Sequence, residues 1–97
     1  MNHAKARPIR QMVVLTFTDI ECRRLQLAGD FNEWIPDRDV ETRNVNGHWQ
    51  KIFTAEPGVY EYRLIIDGKW QHDPSNPAEI PNELGSINSL LQVPVQH

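Results

Sequence analysis

Asp67-Gly68, set between the apolar run Tyr60 to Ile66 and the segment Lys69 to Pro74, constrains this chain more than any other pair of residues. A two-residue hairpin loop in a type I′ turn needs positive φ at both central positions, and Asp-Gly tolerates that. The turn sets a register in which Ile66 faces Lys69, Ile65 faces Trp70, Leu64 faces Gln71 and Arg63 faces His72. Alternation then sorts the side chains. Tyr60, Tyr62, Leu64 and Ile66 form a core face, while Glu61, Arg63, Ile65, Trp70 and His72 share the more polar one. Trp70 and Arg63 are thereby diagonal neighbours on a face that the core already has reason to leave outside.

The same logic organises the rest. Asn46-Gly47 is a second type I′ signal, flanked by strands over Glu41 to Val45 and His48 to Thr54. In the latter, Trp49 and Phe53 share a face with Lys51, and the aromatic pair is the better core candidate. Met12 to Thr18 is rich in apolar and β-branched residues and reads as a first strand; Leu25 and Leu27, alternating with Arg24 and Gln26, read as a second. The chain turns at Gly29-Asp30, and Phe31-Asn32-Glu33-Trp34 precedes a loop at Ile35-Pro36-Asp37, with no helix expected between these breakers. After Asp73, Pro74, Pro77 and Pro81 predict an irregular segment up to Gly85. Ile87 to Val95 is the closing strand, with Pro94 at an edge or an end. About seven short strands with regular turn signals predict an all-β, immunoglobulin-like antiparallel β-sandwich. Residues 1–10 are expected to be a flexible segment and 11–97 a single domain.

Composition narrows the function classes. The 97 residues suit one core, and seven Pro and five Gly supply breakers for many turns. A formal charge of −3 argues against nucleic acid, whose phosphates call for a basic surface. Stacking aromatics with arginines leave single-stranded nucleic acid as a disfavoured reading. Met12-Val13-Val14-Leu15 is too short and too soon polar to be a leader core or a membrane span, and Asn at position 2 excludes myristoylation there. Cys22, the single cysteine, has no partner for a disulfide or a cysteine zinc site, and a reducing, cytoplasmic location is expected. Asp30, Asp67 and Asp73 all sit in turn sequences, where Asp is expected for local bonding. His72-Asp73 lacks further metal ligands, Cys22 lacks a motif-placed His, and no phosphate-binding Gly-rich loop occurs. No catalytic residue, metal or cofactor is therefore expected, and an enzyme is disfavoured.

Four passages carry a resemblance: Leu27-Ala28-Gly29-Asp30-Phe31-Asn32-Glu33-Trp34, Gly58-Val59-Tyr60-Glu61-Tyr62-Arg63, Asp67-Gly68-Lys69-Trp70-Gln71-His72-Asp73-Pro74 and Leu84-Gly85-Ser86-Ile87-Asn88. In that order they resemble the family 48 carbohydrate-binding modules. Members include the glycogen-binding domain of the AMP-activated protein kinase β subunit and the early-set domains ahead of the barrels of isoamylases and branching enzymes. The resemblance spans residues 12–95. It implies an early-set sandwich that binds α-1,4-linked glucan: glycogen, starch or maltooligosaccharides. It also implies sugar-stacking roles for Trp34 and Trp70, a basic contact at Arg63 where kinase-type members have Lys, a binding-loop Leu84, a hydroxyl at Ser86 where those members have Thr, and a polar contact at Asn88. The C-terminal partner-binding region of the kinase subunit is not expected here.

These residue types suit the ligand. A glucan offers the C–H faces of its rings and a rim of hydroxyls, so flat apolar platforms beside directional donors are what binding requires. Other roles remain open at each position. Small β-domains more often bury a Trp, though alternation shifts Trp70 outward and leaves Trp34 open to either role. Arg63 also fits a solvated ion pair, and Ser86 and Asn88 fit local turn bonding. The expectation is a free-standing, non-catalytic α-glucan-binding module, with about 10 μM to 1 mM affinity for a short oligosaccharide. The alternative is an interaction module docking onto a glucan-metabolising enzyme or kinase-like partner.

Overall fold

The computed structural model describes residues 9–95, so most of the expected flexible segment 1–10 lies outside the described residues. Eight strands are present: β1 (Gln11–Phe17), β2 (Leu25–Gly29), β3 (Glu41–Val45), β4 (His48–Ala55), β5 (Gly58–Ile66), β6 (Lys69–Gln71), β7 (Glu79–Pro81) and β8 (Ile87–Val93). They form two antiparallel sheets, β1-β4-β3 and β2-β5-β8-β7, with β6 also on β5. The fold is the all-β, immunoglobulin-like sandwich that the strand count and spacing predict.

Both hairpin turns have the required backbone. Asn46 and Gly47 have φ of 53° and 81°, and Asp67 and Gly68 have 49° and 86°. The β5–β6 register is Ile66 with Lys69, Ile65 with Trp70 and Leu64 with Gln71. Pairing stops there, so Arg63 has no ladder partner in His72. The Asp67 carboxylate does more than turn the chain: its Oδ1 accepts the Arg23 and Arg24 N–H groups, each at 2.9 Å.

β5 is the shared spine. Tyr62 to Ile66 pair with β2 on one edge. On the other edge, Gly58 to Tyr62 pair with β8 and Leu64 to Ile66 with β6. Its inward residues Tyr62 and Leu64 join Phe17, Leu25, Leu27, Trp49, Phe53 and Val93 in the core between the sheets. Burying such side chains stabilises by about 1.5–3 kcal/mol each. Phe31 closes one end, stacked on Phe53 with ring centroids 4.3 Å apart and edge-on to Tyr60.

Besides the Arg63–His72 pairing, four expectations are corrected. A 3-10 turn, Asp30–Asn32, stands where no helix was expected; three residues are too few to leave helical periodicity in a sequence. The proline-rich segment contains β7, which pairs with β8 over Glu79 to Pro81. Proline is tolerated there because β7 is an edge strand and Pro81 its last residue. The closing strand stops at Val93 and lies between β5 and β7, so Pro94 marks an end and not an edge. Finally, Ile65 is only 3% exposed although it shares the outer face with Arg63, because Gln26 and Trp70 flank it from β2 and β6.

Candidate functional site

The outer face of the larger sheet carries an open groove of about 760 Å³, lined by Asp30, Trp34, Glu61, Arg63, Trp70, Pro81, Asn82, Glu83, Leu84 and Asn88. Alternation explains the strand contributions. Glu61 and Arg63 are two apart on β5, and Glu61 pairs with Leu90, which puts Asn88 on the same face of β8.

Trp34 reaches the groove from the loop after β2. That loop is held by Asn32, which is buried: its Oδ1 accepts Gly29 N–H at 3.0 Å, and its Nδ2 donates to the Leu27 and Arg38 carbonyls, both at 3.2 Å. Asp37 closes the other side, with its N–H on Leu27 O at 2.8 Å and its Oδ1 accepting Leu27 N–H at 2.9 Å. Glu33 and Trp34 are both left-handed, with φ of 58° and 60°. Each costs roughly 1–2 kcal/mol for a side-chain-bearing residue, so the loop is kept in this shape by its bonds and not by local preference. The indole Nε1–H of Trp34 donates to Asp30 Oδ1 at 3.0 Å.

Trp70 stands opposite Ile65 and is 44% exposed. Arg63 Nη2 donates to the Trp70 carbonyl at 3.2 Å. Its Nε is enclosed without a partner among the described residues. Across the groove, Leu84 is 93% exposed, at the tip of a turn pinned by Asn82, whose Oδ1 accepts Leu84 N–H and Ser86 N–H, each at 3.0 Å. Asn88 is buried, its Nδ2 donating to Glu61 Oε1 at 2.9 Å and its Oδ1 accepting from Asn82 Nδ2 at 3.3 Å. An Asn amide has two donors and two acceptor sites, so one of each is left over.

Of the six residues singled out in the sequence, Trp34, Arg63, Trp70, Leu84 and Asn88 therefore line one groove. Ser86 is half-buried and is not among the lining residues; its N–H and C=O both bond Asn82. Asp30, Glu61 and Asn82 were not singled out. For Glu61 a signal existed, since alternation puts it on the face of Arg63. Asp30 and Asn82 read as ordinary turn residues, because what distinguishes them is a bond to another segment.

Behind the groove a second polar system ties β5 to the segment after β6. Tyr62 Oη donates to Asp73 Oδ2 at 2.7 Å and accepts from Asn76 Nδ2 at 3.0 Å. Ser89 Oγ accepts Asp73 N–H at 2.8 Å. Burial pushes the Tyr62 hydroxyl well above its ordinary 10.0, and the Asp73 carboxylate adds to that while Asn76 opposes it. Between the sheets, Lys51 is fully buried. Its Nζ meets both Asp37 oxygens at 3.0 and 3.1 Å and Thr42 Oγ1 at 2.6 Å. Burial lowers its pKa from 10.5, with Asp37 pulling the other way.

A profile of the family described as the glycogen recognition site of AMP-activated protein kinase matches residues 11–97. The chain is 34% identical over 71 residues to the 5'-AMP-activated protein kinase subunit beta-1 of Sus scrofa, covering 73% of this chain and 55% of that one. It is equally similar to the human subunit beta-1, covering 25% of it. To subunit beta-2 of Mus musculus it is 31% identical over 67 residues, 69% of this chain and 24% of that one. The chain thus spans about half the length of the first of these relatives and about a quarter of the others. Among the described residues, no helix is long and apolar enough to cross a membrane.

Proposed function

The chain belongs to the family of glycogen recognition sites of AMP-activated protein kinase, and from that premise we propose that it binds α-1,4-linked glucan, without catalysis, in the groove between Trp34, Trp70 and Leu84. The observation that carries this reading is that two indoles, one from the loop after β2 and one from β6, line one open groove together with Arg63. The indole faces supply platforms for the C–H sides of glucose rings, Leu84 an apolar contact at the rim, and Arg63 and Asn88 directional donors for hydroxyls. Asp30, Glu61 and Glu83 against the single Arg63 make the lining acidic. The Glu61 and Glu83 carboxylates can accept from sugar hydroxyls, and the acidic lining as a whole repels phosphates, which supports a neutral polyol over a nucleic acid. Ser86 belongs to the proposed set through the turn that presents Leu84. Residues 11–97 act in this reading as one glucan-binding domain, in keeping with a cytoplasmic protein.

Trp70→Ala should nearly abolish maltoheptaose binding measured by calorimetry while leaving the domain folded with a modestly lowered thermal midpoint, because Trp70 lies outside the core between the sheets and covers only Ile65 on the outer face. A variant that binds as wild type does would overturn the site assignment. A second reading, docking onto a glucan-metabolising enzyme or kinase-like partner, draws on Met12 and Val14, exposed on the outer face of β1. Retardation in glycogen-containing gels separates the two, since a docking domain alone migrates unretarded.

A further inference from the structure

Trp34 presents an indole from a two-residue left-handed stretch, and the residue is half-buried, with part of its ring open to the groove. Its backbone N–H is tied to Gly29 O at 3.0 Å, which locates Cα but leaves the side-chain torsions free. The side chain has a different restraint. Asp30, four residues earlier, divides its carboxylate between two donors: Oδ1 accepts the Trp34 indole N–H at 3.0 Å, and Oδ2 accepts the backbone N–H of Glu61 at 2.7 Å. The second bond crosses from the 3-10 turn to β5. The Glu61 side chain in turn accepts from Asn88 of β8 at 2.9 Å, and Asn88 is tied through Asn82 to the turn carrying Leu84.

We infer that Asp30 is a positioning residue for the groove: its carboxylate bridges the Trp34 indole to the backbone of β5 and sets the angle at which that indole meets a sugar ring. This rests on the glucan-binding reading above. Asp30 contributes through Trp34 and not as a sugar contact. A platform ordered before binding spares the complex the cost of ordering it, and charge-assisted bonds from a carboxylate are the stronger kind. The proposal is specific about chemistry, because two acceptor oxygens are needed for two N–H donors. An amide at this position has only one acceptor atom and sets its NH₂ against one of the donors.

Asp30→Asn is therefore the informative variant, with the Glu61 link as the bond it is expected to retain. It should keep the thermal midpoint near wild type and weaken maltoheptaose binding by about three- to tenfold, the range expected when one side chain must be ordered on binding. In the ligand-free protein, the indole N–H resonance of Trp34 should move and its hydrogen exchange should speed up, with those of Trp49 and Trp70 unchanged. Trp34→Phe removes the indole N–H, so adding Asp30→Asn to it should cost no further affinity. Wild-type affinity in Asp30→Asn, an unmoved Trp34 resonance, or full additivity of the two changes would each overturn the role of Asp30. If wild-type protein binds no maltoheptaose, the glucan reading itself falls and takes the proposed consequence of Asp30 for binding with it, while the resonance still reports whether Asp30 orients the indole. A strongly lowered midpoint in Asp30→Asn, with binding lost in proportion to unfolding, assigns Asp30 a structural role and also overturns the proposal.

Discussion

Replacing Tyr62 by Phe removes one oxygen from the centre of the domain, and the surrounding bonds say what that should cost. Asp73 is 4% exposed. Its Oδ1 accepts from Ser75 N–H and Ser75 Oγ at 2.9 and 2.7 Å, whereas its Oδ2 has the Tyr62 hydroxyl at 2.7 Å as its bond. The variant therefore leaves one buried carboxylate oxygen unsatisfied. Asn76 loses less, since its Nδ2 also donates to Leu90 O at 2.8 Å. A hydrogen bond to a charged group contributes about 1.5–3 kcal/mol, and orphaning the charged partner puts this case toward the upper end, about 2–3 kcal/mol. For a domain of this size that lowers the thermal midpoint by about 10–20 °C. Urea unfolding should show a lower midpoint with an unchanged slope. A loss under about 0.5 kcal/mol would show that Asp73 finds another partner at little cost, and would refute the reasoning. The pH dependence has a definite sign. The folded-state pKa of Tyr62 is raised, so its contribution is complete below the ordinary 10.0 and is lost as pH rises beyond it through the higher folded value. Tyr62→Phe should lack that alkaline decline.

Gly29→Ala should destabilise by about 1–3 kcal/mol in thermal unfolding, because a Cβ there would stand 2.6 Å from the Glu61 carbonyl and 2.7 Å from the Phe31 ring. Its φ of −169° is ordinary extended backbone, so the objection is space alone, and an unchanged midpoint would show that β2 and β5 part without cost. Lys51→Met should cost about 1–3 kcal/mol, less than the 3–5 kcal/mol typical of breaking a fully buried pair, since the Asp37 side chain is 29% exposed and keeps its bond from Leu27 N–H. The folded pKa of Lys51 is depressed, so between that value and 10.5 the unfolded chain binds more protons and wild-type stability rises with pH; the Met variant should lack that rise in denaturant titrations.

What the sequence determined by itself is what local rules can reach. Two turn dipeptides each demanded positive φ, and with them came two hairpins, the β5–β6 register and the inward face of Tyr62 and Leu64. That register also set Trp70 diagonal to Arg63, so one half of the groove was legible before any tertiary contact was known. The other half was not. Trp34 owes its position to two residues in left-handed backbone, a conformation their side chains disfavour and that bonds to Gly29, Asn32 and Asp37 sustain, with Asp30 holding the indole. Lys51 shares a strand face with Trp49 and Phe53, and nothing local distinguishes its burial from a solvated lysine, because its counter-ion Asp37 lies on a different element. Asp30 and Asn82 likewise look like turn residues until the sheet brings Glu61 and Asn88 beside them. Alternation and turn chemistry act over two to four residues; hydrogen bonds between loops act through space, and only the closed sandwich decides which loops meet.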